Sequence, residues 1–469
     1  MSTDLSAYTA GVHEYVKKGQ EIMRKRAESV KRMKQCRFDT ISVHGLYDMQ
    51  ESLELNQGSI IEPAYMSTSQ AYRDSDEMEA GLAYLIPNWC YARIANPTTY
   101  YLEWALALLE GYGSDLETSA VVTSSGMSAI MSAVEPFLVK LSNAPDEPIN
   151  FVSSAHVYGG TFQQFNVRQV EKGRQVRWIP DPTDLSAWEA QIDEHTRLLY
   201  AELPSNPTIN FCDIEKLAEI AHRHGIPLIV DATVATPALM RPLTHGADVV
   251  IHSVSKSLTS SGMGVGGVIV SRKNLVSEKV TEPREMLEDF ATWVKFLPYR
   301  DNGPSMNPMQ ALLVLNDLRT LRSKMDLVSQ SSQIVAEWLE NHPKIERVDY
   351  LGLPSNSLHN LASRYMFLVD SDLEGAAPVN RYGHLMSFRV KGSGEDTRRM
   401  FDGFEMIYRA TDLGRIKSVA TIPSISTHQQ LGEEARSMAD VPPNLIRLNV
   451  GGEHADDIIA DLERGLAKV

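Results

Sequence analysis

A lysine and an aspartate, 25 residues apart, stand at the ends of two apolar runs: Asp231 closes "LIVD" and Lys256 follows "ADVVIHSVS". Lysine is seldom buried unless it is paired or used. At the end of a buried strand, partial burial lowers its pKa and frees a neutral amine, the nucleophile of Schiff-base chemistry. Alone, Lys256 reads as well as a loop lysine whose head reaches water. Alone, Asp231 reads as an aspartate capping the next turn. Side by side on two strand ends, the pair matches what pyridoxal phosphate needs: a lysine for its aldehyde and an acid for its ring nitrogen. A Walker A loop is excluded, because Ser255 and Val250 occupy its two glycine positions.

Other residues fit a phosphate and a ring. Ser253 and Ser255 flank the lysine's approach. "SSGMSAI" (124–130) reads as strand, turn and helix start, so Gly126 and the amides beside it can face an anion. Tyr91 and Arg93 in "YARIANPT" could clamp a phosphate, or form an ordinary surface loop before a helix. Tyr158 in "HVYGGT" could stack on a ring or act as an acid, or be a rim tyrosine. His222 and His224 do not share a helix face, so they read as structural and no metal site is expected.

The elements that must position these groups alternate. Strand-like runs at 119–126, 148–160, 196–202, 226–231 and 247–253 are separated by helical patterns such as "IEKLAEIAHRHG", which stops at Gly225. That order implies an α/β fold with a mostly parallel sheet sandwiched by helices, whose ligands sit at the carboxyl ends of its strands. Near residue 300, "LPYRDNGPSMNP" is rich in turn formers. A long helix at 307–341 and strands in "HLMSFRVKG" and "IRLNVGGE" then suggest a smaller α+β domain. The expected layout is an N-terminal arm and subunit-contacting segment (1–95), a cofactor-binding α/β domain (96–300) and a C-terminal α+β domain (301–469). Residues 12–37 read as a basic helix, and 368–383 as a surface insertion.

Composition narrows the class. The chain has 469 residues, 43% of them hydrophobic and 22% charged, with a net charge of -15. An acidic chain lacks the basic face that nucleic acid requires. No apolar run reaches the length of a membrane span. Three scattered cysteines fit a reducing cytoplasm rather than a disulfide framework or a zinc site.

Taken in order, "YARIANPT", "SSGMSAI", "HVYGGT", "ELPSNPT", "LIVDATVATP", "HGADVVIHSVSKSL", "STH" and "LIRLNVGGE" resemble the Cys/Met-metabolism family of pyridoxal-phosphate enzymes, from about residue 38 to the C-terminus. The resemblance implies fold type I, a pyridoxal 5'-phosphate cofactor and an amino-acid substrate. It implies Lys256 as the aldimine lysine, Asp231 at the pyridinium nitrogen and Tyr158 on the ring. It implies Gly126, Met127, Ser253 and Ser255 at the phosphate, with Asn206 and Thr233 beside the ring. Arg447 becomes the clamp for the α-carboxylate, with Asp412 and Ser418 at the substrate end. Tyr91 and Arg93 are expected to serve a neighbouring subunit, which makes a homodimer the minimum and a homotetramer the expected assembly.

The activity so implied is γ-elimination from a sulfur-containing or related γ-substituted amino acid, with γ-replacement by a thiol as the alternative. An aminotransferase is disfavoured by the cross-subunit "YARIANPT", and a non-catalytic subunit by the retained Lys256, Asp231, Tyr158, Arg93 and Arg447. Several positions depart from the family pattern: Asp412 in "DLG" for serine, Asn449 in "RLNVG" for serine, Gly160 where methionine γ-lyases often carry cysteine, and the run "TSSGMGVGG" after the lysine.

Overall fold

The computed structural model describes residues 5–142 and 144–469. Its larger sheet has seven strands: β1 (Thr118–Thr123), β2 (Ile149–Ser154), β3 (Arg174–Ile179), β4 (Thr196–Glu202), β5 (Leu228–Asp231), β6 (Val249–His252) and β7 (Gly267–Arg272), in the order β1-β7-β6-β5-β4-β2-β3. β7 runs antiparallel to both neighbours, and the β6-β5-β4-β2-β3 pairings are parallel. The strands β4, β5 and β6 are buried at every position. Their apolar residues feed two cores: Leu199, Val230 and Val250 face one side, while Leu198, Ile229 and Ile251 face the other. Burial on both faces is why these segments read as continuous rather than alternating apolar runs.

β3 escapes that reading because "RQVRWI" is interrupted by Arg174, Gln175 and Arg177, as suits a strand at the sheet edge. β7 grows out of the glycine-rich run. A Cβ on Gly267 would collide with the carbonyl of Ser125, and one on Gly266 would press on Val254 at 2.8 Å. The glycines therefore let the chain cross between the lysine loop and the start of the helix Gly126–Val134.

The smaller sheet contains β8 (Ile345–Asp349), β9 (Leu385–Val390), β10 (Tyr408–Arg409), β11 (Val419–Thr421) and β12 (Leu445–Asn449), ordered β10-β11-β12-β9-β8. In β12, Ile446 and Leu448 enter the main core, so the alternation turns Arg447 and Asn449 to the opposite face. The long helix expected over 307–341 is two helices, Pro308–Leu318 and Leu321–Glu340. Thr320 breaks it: its hydroxyl turns back to the Asp317 carbonyl, competing with the helical ladder.

Near the N-terminus, the helix Ala10–Met33 is capped by Thr9 and packs Val12 and Val16 near Ala80. Beyond it, Met49, Leu53, Leu55, Ile60, Ile61 and Met66 are exposed. The 368–383 segment fastens this part of the chain, because Asp370 accepts from the Phe38 amide at 3.0 Å and the Tyr112 hydroxyl at 2.6 Å. No helix among the described residues is long and apolar enough to cross a membrane.

Candidate active site

The carboxyl ends of β4, β5 and β6 bring one carboxylate, another carboxylate and the lysine to a single edge. Lys256 follows β6, with Nζ 2.7 Å from Asp412 Oδ1. Burial lowers its pKa, and the Asp412 carboxylate works against that. Asp412 leads into the contact chain that joins the rest. Its carbonyl accepts from Arg447 Nη2 at 2.7 Å, and Arg447 Nη1 donates to Asn206 Oδ1 at 2.9 Å. The Asn206 amide donates to Glu202 Oε1 at 2.8 Å, and Glu202 Oε2 takes the Tyr158 amide at 2.7 Å.

Glu202 lies in register with Asp231 on the next strand. Asp231 accepts from the Thr233 hydroxyl at 2.5 Å and its amide at 3.0 Å, and the Thr233 hydroxyl accepts from the Ser253 amide at 2.8 Å. Ser253 touches the helix start, where a Cβ on Gly126 would come 2.7 Å from the Ser253 Cβ. The amides of Gly126 and Met127 open that helix, which Ser125 caps, and have no acceptor within it.

Burial sets the electrostatics. It raises the pKa of Asp231, which the Thr233 hydrogen bonds oppose. Burial raises Glu202 well above the carboxylate range, and the charge of Asp231 adds to it. Burial pushes Arg447 down to about 10, and its Nε is buried with no hydrogen-bond partner. Tyr158 is 40% exposed, with its ring folded back over Gly160, where a Cβ would meet it at 2.5 Å.

Other expected residues stand differently. The Ser255 hydroxyl is engaged by the Gly266 backbone, at 3.1 Å to its carbonyl and 2.9 Å from its amide. Ser418 is fully buried, and its hydroxyl is held by Glu453 at 2.8 Å and the Gly451 amide at 2.9 Å. Tyr91 and Arg93 point to other partners: Tyr91 bridges Ser69, and Arg93 donates to the Arg300 carbonyl and lies over the Tyr91 ring. His222 pairs with Asp248 at 2.8 Å, and no group of metal-ligating side chains occurs among the described residues. The three cysteines are free.

Glu202 and Arg415 are members of this edge that the sequence reading passes over. Glu202 carries the signal that singled out Asp231, an acid after an apolar run ("LLYAE"). Arg415 carries none. Its Nε reaches Asp412 Oδ2 only through the turn at Gly414, where φ is +73°. Asn449 holds that turn by accepting from the Gly414 amide at 2.6 Å.

The donor set fits pyridoxal phosphate. A nucleophilic amine, a buried carboxylate for a ring nitrogen, free helix-start amides for a phosphate and a buried guanidinium for a carboxylate converge on one edge. The cofactor would be held by Lys256, Asp231, Gly126, Met127 and Ser253.

The comparisons agree. The chain is 37% identical to an O-succinylhomoserine sulfhydrylase of Pseudomonas aeruginosa, covering 92% of this chain and 95% of that one. It is 34% identical to a homocysteine synthase of Schizosaccharomyces pombe, covering 92% and 98%. Among solved structures, a putative O-acetylhomoserine (thiol)-lyase of Campylobacter jejuni with a pyridoxyl-lysine phosphate superposes with a TM-score of 0.81 at 32% identity, over 92% of this chain and all of that one. The model of the Cys/Met metabolism PLP-dependent enzymes matches residues 39–467. With that match running almost end to end, the chain belongs to the Cys/Met metabolism family of PLP-dependent enzymes and has their fold type I architecture.

Proposed function

We propose that the protein catalyses γ-replacement: it exchanges the acyloxy group at Cγ of an O-acyl-L-homoserine for sulfide or a thiol. The observation that carries this reading is the near full-length similarity to sulfhydrylases and homocysteine synthases. It reverses the lean towards elimination drawn from sequence motifs alone. Those motifs define the cofactor chemistry common to both outcomes and say little about what attacks Cγ.

Pyridoxal phosphate, when bound, supplies the electron sink that makes the Cα and Cβ protons of an amino acid removable. The protein's own groups do the rest. Arg447, rigid and buried, binds the α-carboxylate with a planar fork. Lys256 Nζ, at the strand end, accepts and returns protons on one face of the substrate. Asp231 keeps a negative charge opposite the ring nitrogen. Tyr158 covers the ring and stands by the leaving group. Gly126, Met127 and Ser253 hold the phosphate. Tyr91 is exposed and Arg93 meets the Arg300 carbonyl, apart from the contact chain around Lys256, and in a dimer the pair would complete the neighbour's phosphate site.

The test is a substrate panel. Purified holoenzyme is given O-succinyl- and O-acetyl-homoserine, cystathionine and methionine, each with and without sulfide. Homocysteine formed from an O-acylhomoserine only when sulfide is present is the expected result. Release of a 2-oxo acid and ammonia at similar kcat/KM without any nucleophile would instead establish a lyase.

A further inference from the structure

The loop carrying Asp412 lies directly on the lysine. A Cβ on Gly414 would collide with the Ser257 amide, so only a glycine lets the loop approach this closely. The loop is anchored to its surroundings largely by groups other than the Asp412 carboxylate. Arg447 Nη2 donates to the carbonyls of Thr411 at 3.0 Å and Asp412 at 2.7 Å, Asn449 holds the Gly414 amide, and the Ile416 amide reaches Ser260 at 3.0 Å. The carboxylate accepts the Leu413 amide on Oδ1 at 2.9 Å and lies between two cations, Lys256 Nζ on Oδ1 and Arg415 Nε on Oδ2, and Arg415 is tied in turn to the Thr259 carbonyl at 3.1 Å.

Resting on the reading of Lys256 as the cofactor-linked lysine, we infer that Asp412 is the resident counter-ion of that lysine, with Arg415 moderating its pull. Whenever the amine is free, Asp412 favours its ammonium form. When Nζ takes the Cα proton, the C–H bond breaks, an N–H bond forms, the electron pair stays with the substrate side, and the new ammonium is born beside a carboxylate already 2.7 Å away. The carboxylate keeps its charge, and the proton remains on the lysine for return to the substrate.

The charges facing Nζ support this. Asp412 and Arg415 approach from the loop and Arg447 from β12, so Asp412 is the one anion in contact with Nζ among the described residues. Behind the lysine, His384 meets the Ser257 hydroxyl at 2.6 Å and Lys324 its carbonyl at 2.5 Å. Burial pushes His384 down to about 4 and Lys324 down to about 8, and neither side chain carries negative charge in either protonation state. Burial pushes the Asp412 carboxyl up, but Lys256 and Arg415 outweigh that and hold it below the ordinary range.

The test uses cofactor-free full-length protein and follows pyridoxal phosphate uptake by its visible absorbance across roughly pH 6 to 10. Only the neutral amine attacks the aldehyde, so the midpoint of the rate profile reports Lys256. Asp412→Asn is expected to lower the midpoint by about one pH unit, giving about tenfold faster uptake below it. Arg415→Gln is expected to move the midpoint the opposite way. A merely structural role would slow both variants without opposite displacements. Circular dichroism and melting check the fold, and Asp412→Ser supplies a second variant with the same expected downward shift. Coincident midpoints in wild type, Asp412→Asn and Asp412→Ser would overturn the inference while leaving Lys256 in place. A wild-type chain that takes up no cofactor would overturn the underlying reading and this inference with it.

Discussion

At the scale of single residues, Glu202 shows how much one buried acid organises. Its two oxygens hold the amides that aim Tyr158 and Asn206, and through Asn206 it reaches Arg447. No cation neutralises it in the described contacts, and Asp231 faces it from the next strand. Its proton is therefore held more tightly in the folded state than in the unfolded chain. For such an acid the folded state binds more protons than the unfolded one. Its stabilising contribution is full below the unfolded carboxylate pKa of about 4.3 and is lost as pH rises through the raised value. The cofactor-free protein should melt at falling temperature as pH increases over that window, and Glu202→Gln should flatten the slope. Glu202→Gln retains one acceptor and should cost about 1–3 kcal/mol at its pH optimum, and Glu202→Ala about twice that, measured by denaturant unfolding. Tyr158 and Asn206 would be left with unpaired amides, so Glu202→Ala should also weaken cofactor affinity in equilibrium titration. A Glu202→Gln slope parallel to wild type would show that Glu202 is not the group that titrates.

At the scale of elements, the site depends on where three strands and one helix end. "LIVD" and "VVIH" are legible as buried strands because every residue up to the polar one is apolar. The glycine-rich run after Lys256 is not legible. Nothing in its composition says that β7 turns back between β1 and β6 and lays Gly267 against the cap of the helix Gly126–Val134. That placement makes a prediction. Gly267→Ala puts a methyl group into the Ser125 carbonyl, which can move only with the helix start. It should destabilise the protein by about 1–3 kcal/mol and weaken pyridoxal phosphate binding, read by thermal melting and by cofactor titration. Lost stability with unchanged cofactor affinity would separate the glycine run from the phosphate site.

At the scale of the whole molecule, the N-terminal 95 residues hold exposed apolar side chains and a Tyr91–Arg93 pair whose guanidinium meets the Arg300 carbonyl. A dimer with shared sites predicts complementation. Arg93→Ala and Lys256→Ala chains should each be inactive alone. Unfolded together in equal amounts and refolded, they should recover about a quarter of wild-type activity, since half the random dimers are mixed and each contains one intact site. No recovery in mixtures shown to contain mixed dimers would place Arg93 in its own chain's site or outside any site.

By itself, the sequence determined the cofactor chemistry and the elements that deliver it. Buried strands are written in contiguous apolar residues, and an acid or lysine that ends such a run stands out against them. Tertiary structure decided what those residues meet. Asp412 is 156 residues from Lys256 and Asn206 is 241 from Arg447. No local pattern encodes such distances, because β12 and the loop between β10 and β11 reach the sheet edge only when two separate sheets pack on a common core. The same packing turned Asn449 from an unexplained departure into the anchor of the Asp412 loop, and engaged the Ser418 hydroxyl with Glu453 and Gly451. Side-chain identity names a chemistry, and long-range packing chooses which partners it serves.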